Sequence, residues 1–374
     1  MLGVLVTHIF SPLIGRGNAF TDNLIVNGAR GVQLFFIISA FTLFLSLETK
    51  KTEKAVTRNF FIRRFFRIAP MFYIMIPIYL LVFGLGPRYW LGDAGGISGW
   101  NIAATALFVN GWNPHWINSV MGINWTIAIE MSFYLLVPLL FKYIKNLFDA
   151  LALFFGAGIL LVFINPPLLA HNPIGSVELW NNFTNLWLPS QFAVFALGIV
   201  LYFLIFPDKN QKITFVRTRL WITVGLLIAA AFGLLIYNQL AVVSPFSLLF
   251  LGFAYLLAMK PLKLLVNRAT RHIGKISYSF YLTHLLVLNL VYALLHKASG
   301  APHSLMMYAV IFSLTLLLTT ALSSLTYKYI EKPGIIFGNK LIEKLEKGEE
   351  IYLTRMLKRL NPRRRISPVD RDTW

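Results

Sequence analysis

The sequence predicts an all-α membrane protein, a bundle of about ten transmembrane helices, and three observations predict it. The 374 residues are 57% apolar and only 13% charged, whereas soluble domains carry roughly 25% charged residues. Apolar runs on the scale needed to cross a bilayer core of about 30 Å recur along the chain. The basic residues fall almost entirely in alternate connections between those runs. A mean hydropathy of +0.66 agrees with a chain solvated mostly by lipid. Helices are the expected element, because an open sheet leaves backbone groups unpaired in hydrocarbon.

The first run, 2–14, is too short to cross, and no basic residue precedes it. It lacks the positive n-region and small-residue cleavage site of a signal peptide. It therefore reads as the end of a helix beginning upstream of Met1. The second run, 30–47, opens at Arg30 and ends at a basic connection, 48–69, holding Lys50, Lys51, Lys54, Arg58, Arg63, Arg64 and Arg67. The third, 70–86, starts at Pro70, and the long connection 87–123 leads to the fourth, 124–143. Lys142 and Lys145 precede the fifth, 148–165, and the polar stretch 166–186 precedes the sixth, 187–206. Four bases in 207–219 introduce the seventh, 219–238, which is followed by the eighth, 244–259. Five more in 260–275 introduce the ninth, 276–296, and the tenth is 304–328.

The tail from 328 carries twelve bases, so 30 of the 34 Lys and Arg lie in one set of connections. The positive-inside rule puts that set, and both termini, in the cytoplasm. The net charge of +19 then marks one membrane face and calls for no nucleic-acid partner. The transmembrane domain is expected over 1–335. The alternating charges and Arg363-Arg364-Arg365 of 336–374 read as a basic amphipathic cytoplasmic tail near anionic lipid. The absence of cysteine excludes disulfides, cysteine nucleophiles and thiolate metal sites.

The opposite connections hold or adjoin seven of the nine tryptophans. An interfacial aromatic belt and a sugar-stacking surface both fit them.

Ionisable side chains inside spans are costly and mark function by default. His8 is either a packing residue or a general base. With no His or carboxylate three or four residues away, it does not suggest a metal site. Glu130 must pair with a cation or stay protonated, as a structural ion pair or as the group that orients a base. Ser277, Tyr281 and His284 share one helix face at i, i+4 and i+7, either as interhelical glue or as part of a site. Arg63, Arg64 and Arg67 stand at the cytoplasmic mouth of the third span. They suit either lipid headgroups or a phosphorylated ligand, which guanidinium binds in a bidentate way.

Six segments in order resemble the acyltransferase 3 family of polytopic membrane enzymes. They are Val4-Leu5-Val6-Thr7-His8, Gly31 to Phe41 with Ser39, Arg63 to Pro70, Trp125 to Pro138 with Glu130 and Tyr134, Ser277 to His284, and Tyr329-Ile330-Glu331-Lys332-Pro333. Two departures stand out. The family's Arg eleven residues before the His would fall before Met1, and Gln33 and Ala40 replace a common Asp and Gly.

The resemblance implies transfer of an acyl group, commonly acetyl from cytoplasmic acetyl-CoA, to a hydroxyl of an envelope carbohydrate such as O-antigen or exopolysaccharide. It implies His8 and Glu130 as catalytic groups and Arg63, Arg64 and Arg67 as donor-binding groups. Ser39, Tyr134, Ser277, Tyr281 and His284 would support them. Acyl-CoA would be a donor substrate, with no cofactor permanently bound, and the location the bacterial inner membrane. A multi-span transporter of a polar or lipid-linked substrate is the competing class, although no half-to-half repeat of the kind transporters carry is visible.

Overall fold

The computed structural model describes residues 2–15, 18–87, 95–206, 245–299 and 304–360. Those residues form helices and turns, with no strand among them. In chain order the helices are α1 (Leu2–Phe10), α2 (Ala19–Gly28), α3 (Gly31–Thr49), α4 (Val56–Phe83), α5 (Gly99–Ala106), α6 (Trp125–Tyr143), α7 (Leu147–Ala170), α8 (Val177–Leu186) and α9 (Leu188–Ile205). They continue with α10 (Pro245–Met259), α11 (Arg268–Lys275), α12 (Ser277–Ser299), α13 (Leu305–Thr326) and α14 (Lys332–Leu360).

The described residues are helical as expected, but they do not confirm the count of about ten spans. Among the described residues seven helical segments are long and apolar enough to cross a membrane, and Leu2–Leu13 and Pro245–Met259 are apolar but shorter. The expected run at 219–238 lies outside the described residues. The third span also begins earlier than expected. Its helix starts at Val56, so Arg63, Arg64 and Arg67 sit within α4 and Pro70 lies inside it. Arginine is a good helix former, and its aliphatic stem can lie along apolar neighbours. The basic stretch therefore extends the helix where a loop was expected.

One large apolar core joins α3, α4, α6, α9 and α12. Its centre is an aromatic stack: Phe195 lies 4.4 Å from Phe36 and 4.0 Å from Phe133, ring centre to ring centre. Gly198 lets α9 approach α3 there. A Cβ at that position would overlap the Ile37 carbonyl and come within 2.7 Å of the Ala40 methyl. The small residue at Ala40 thus serves backbone contact, as small residues do between membrane helices. Gln33, where the family often has Asp, accepts a hydrogen bond from Ser247 at 3.0 Å and ties α3 to α10.

The other side of the bundle packs α1 against α12 and α13 through Leu5, Ile9, Val287, Val291 and Ile311. Gly334 and Gly338 seat α14 on Phe66 and Pro70 of α4. Between α13 and α14, Tyr327–Glu331 forms a π-helical turn that carries the fully buried Glu331. Such turns often occur at functional sites.

Candidate active site

Three cavities are lined by the candidate residues, and the first two adjoin. The first, about 390 Å³, is lined by Ser39, Thr42, Arg64, Arg67, Glu130, Tyr134, Ser277 and Tyr278 among others. The second, about 310 Å³, shares Phe35, Ile38, Ser277 and Tyr278 with it and extends to Val4, Thr126 and Tyr281. The third, about 290 Å³, is lined by His8, Tyr79, Met121, Gly122, Leu285, Asn289 and Tyr292. Between the second and third stands His284, whose ring lies 5.6 Å from that of Tyr281 and 5.4 Å from that of His8.

In the first cavity Glu130 projects from α6 and is only 3% exposed. One of its oxygens, Oε1, accepts hydrogen bonds from Ser39 Oγ at 2.5 Å and Tyr134 Oη at 2.6 Å. Tyr134 lies one turn along the same helix, and Ser39 reaches across from α3. Oε2 has no hydrogen-bond partner among the described residues, and neither has Arg64 Nε. The Arg64 guanidinium lies over the rings of Phe60, at 5.7 Å, and Tyr134, at 6.0 Å. That geometry holds a cation against aromatic faces. Arg64 and Arg67 both act electrostatically on Glu130. Arg67 is exposed at the mouth.

Arg63 has a different role in the structure. Its guanidinium forks onto Glu53, with Nη2 to Oε2 at 2.6 Å and Nη1 to Oε1 at 3.2 Å. It does not line the cavity with its two neighbours. Burial would raise the Glu53 pKa, but hydrogen bonds from Arg63, Asn59 and Lys50 outweigh it and hold the carboxyl down at about 2. Asn59 continues the network by donating to Glu346 of α14 at 2.7 Å.

The aromatic hydroxyls and one imidazole are fixed by backbone carbonyls. Tyr278 Oη donates to Ile68 O at 2.8 Å, Tyr79 Oη to Leu282 O at 3.0 Å and Tyr281 Oη to Ile123 O at 3.3 Å. His284 Nδ1 lies 2.6 Å from Tyr281 O. A carbonyl only accepts, so Nδ1 carries the proton and Nε2 is left as the basic nitrogen. Nε2 is buried without a partner among the described residues.

The sequence-derived residues thus form two groups. Ser39, Arg64, Arg67, Glu130, Tyr134 and Ser277 surround the first cavity, and Tyr281, His284 and His8 lead to the third. Sequence reasoning missed Tyr278, one position off the Ser277–Tyr281–His284 stripe, which lines two cavities. It also missed Tyr79, Asn289 and Tyr292 of the third cavity, which had no charge to mark them. Glu331 lay in a quoted segment without a role. It accepts from Ser279 Oγ at 3.0 Å and feels Arg67 electrostatically. Among the described residues no group of three or more His, Asp or Glu could hold a metal ion.

A family model for the acyltransferase domain, acyltransferase 3, matches residues 1–328. The chain is also similar to acyltransferase MdmB of Streptomyces mycarofaciens, 25% identical over 287 residues that cover 70% of this chain and 68% of that protein. No solved structure matches. A match running from the first helix into the π-helical turn, over the helices that build all three cavities, makes this chain a member of the acyltransferase 3 family and an O-acyltransferase enzyme.

Proposed function

We propose that the enzyme moves an acyl group, acetyl in the simplest case, from cytoplasmic acyl-CoA to a hydroxyl of a cell-surface carbohydrate. One observation carries the reading. Two arginines and a buried carboxylate share a cavity that adjoins a second, largely apolar one leading towards His284 and His8. From Ser277 to His284 the helix rises only about 10 Å. A donor whose phosphates sit on Arg64 and Arg67 could therefore pass its pantetheine arm through the second cavity and present its thioester near the histidines.

His8 then acts as general base on the acceptor hydroxyl in the third cavity. The new C–O bond forms at the thioester carbonyl, the C–S bond breaks, and the thiol leaves with the proton. Glu130 keeps Ser39 and Tyr134 in place and balances the arginine charge between turnovers. Arg63, paired with Glu53, supports the helix that carries Arg64 and Arg67. In this reading the enzyme lies in the bacterial inner membrane with both termini cytoplasmic, and the acceptor arrives from the outer side. The tail helix up to Leu360 rests near the inner surface, while Arg363-Arg364-Arg365 lie outside the described residues.

The test is transfer of label from acetyl-CoA into alkali-labile ester by membranes containing the full chain. General bases contribute about 10²–10⁴-fold, so His8→Ala should lower transfer by that factor while assembly is unchanged. Comparison of host glycan by NMR with and without the gene identifies the acceptor. Normal glycan acylation with His8→Ala would remove the base from this scheme. Substrate flux without ester formation in proteoliposomes would favour the transporter class instead.

A further inference from the structure

We propose that His284 is the proton partner of His8, a positioning residue that receives the proton His8 takes from the acceptor and returns it for release with the thiol. The inference rests on the proposed acyl transfer and deepens it. Three observations carry it. The two imidazole rings lie 5.4 Å apart, centre to centre, on different helices. His284 is 1% exposed, and its Nδ1 is committed to the Tyr281 carbonyl at 2.6 Å. Its remaining nitrogen, Nε2, is buried with no hydrogen-bond partner among the described residues.

A buried basic nitrogen left unpaired costs free energy comparable to a lost hydrogen bond. Packing alone does not require an imidazole here: Phe280, Val287 and Leu288, about one turn away on the same helix, are buried and apolar. An imidazole with one nitrogen fixed by an acceptor and the other left basic is the arrangement by which a catalytic histidine is oriented. Here the oriented ring is not the one lining the acceptor cavity. His8 lines that cavity, so His284 acts behind it.

The proton balance closes. The acceptor O–H bond breaks and its proton goes to one nitrogen of His8 as the C–O bond forms. The proton on the other His8 nitrogen passes to His284 Nε2, a step that requires the two rings to close from their 5.4 Å separation to hydrogen-bond distance. When the C–S bond breaks, the same two transfers run in reverse and protonate the thiolate. Ester and thiol are the products, both imidazoles end as they began, and no further reactant is needed. Tyr292 also lines the cavity of His8, and its hydroxyl is engaged with Tyr308; Tyr281 and Tyr79 are the titratable groups beside the two rings. Both hydroxyls donate to carbonyls, so neither is free to substitute for His284.

The experiment uses membranes containing the full chain, labelled acetyl-CoA as donor and the host's membrane glycan fraction as acceptor. His284→Gln keeps an N–H for the Tyr281 carbonyl but cannot take a proton. Its kcat should fall about 10²-fold or more, with KM for acetyl-CoA nearly unchanged. Residues acting as a unit are non-additive, so His8→Ala with His284→Gln should be no slower than His8→Ala alone. A His284→Gln variant with near-normal kcat overturns the proposal, and so does a double variant whose losses multiply. A readout without substitution accompanies these: the single-turnover rate in mixed light and heavy water should bow, as for two protons in flight, and a straight plot overturns the pairing. Transfer lost in His8→Ala but kept in His284→Gln sinks this inference alone. No transfer by the unaltered chain sinks the parent reading with it.

Discussion

Glu130→Ala should destabilise the enzyme strongly, and Glu130→Gln should not. The carboxylate is buried and one oxygen accepts from both Ser39 and Tyr134. Alanine strands two buried hydroxyl donors. Leaving a buried donor unpaired costs about 1–3 kcal/mol, so the pair loses about 2–6 kcal/mol before any cavity term. Glutamine retains a carbonyl oxygen with two lone pairs at the same place and can accept from both. What it removes is the negative charge facing Arg64 and Arg67. Thermal unfolding in one detergent, followed by loss of the monodisperse peak, separates the two effects. The expected order is unaltered chain close to Glu130→Gln, with Glu130→Ala well below. If the alanine variant unfolds with the unaltered chain, Glu130 does not organise α3 and α6, and its orphaned Oε2 must be explained another way.

Other substitutions test separate links. Arg67→Ala removes an exposed cation from the first cavity; a charge-assisted bond is worth about 1.5–3 kcal/mol, so KM for acetyl-CoA should rise about tenfold to a hundredfold, and an unchanged KM would take Arg67 out of donor binding. Arg63→Ala should leave that KM near its original value, because Arg63 is held by Glu53. Glu53 has its folded pKa depressed from 4.5 to about 2, so its contribution to stability is full above its unfolded pKa and is lost as pH falls from 4.5 towards 2. Unfolding temperatures measured down through that window should fall less steeply in Arg63→Ala, and equal slopes would contradict the pairing. Gly198→Val drives a side chain into the Ile37 carbonyl and Ala40; overpacking costs about 1–3 kcal/mol, and an unchanged unfolding temperature would mean that α3 and α9 can separate freely.

The helical class was legible because hydropathy and charge run over tens of residues. Several boundaries were legible too: the runs 30–47, 124–143, 187–206 and 244–259 lie within two residues of α3, α6, α9 and α10, and the third span is the exception. The apolar run begins after the arginines, which puts the expected start of the third span at Pro70. The helix instead runs from Val56 through it, with Gly334 packed where the proline disturbs the ladder. Local signals could not report that a distant glycine would cover this point. His8 and Glu130 were visible one at a time, as expensive residues in apolar runs. The resemblance named Ser39, Tyr134 and His284 as supports, but which group meets which was invisible, since the Ser39–Glu130 bond spans 91 positions. The distinction between Arg63 and Arg64 also lay beyond composition. Adjacent helix positions point about 100° apart, so one arginine meets Glu53 and the other meets the cavity.

Most buried polar groups of the site are used up by the bundle itself. Tyr79, Tyr278 and Tyr281 each donate to a carbonyl of another segment, as hydrocarbon solvation demands. The polar atoms left over are therefore informative. At the cavities these include Glu130 Oε2, Arg64 Nε and His284 Nε2: an anion, a cation and a base. A bundle concerned only with stability gains nothing by leaving such atoms unpaired, because each costs more in lipid than in water. In the proposed reading these three mark places where a ligand or a proton completes the bonding. Two of them belong to residues of the arginine-lined cavity, and the third belongs to a ring that lies 5.4 Å from His8. That separation suits a reaction that binds its donor by charge at one end and moves a proton at the other. It is also why the Arg67 and His284 variants should fail differently, the first in KM and the second in kcat.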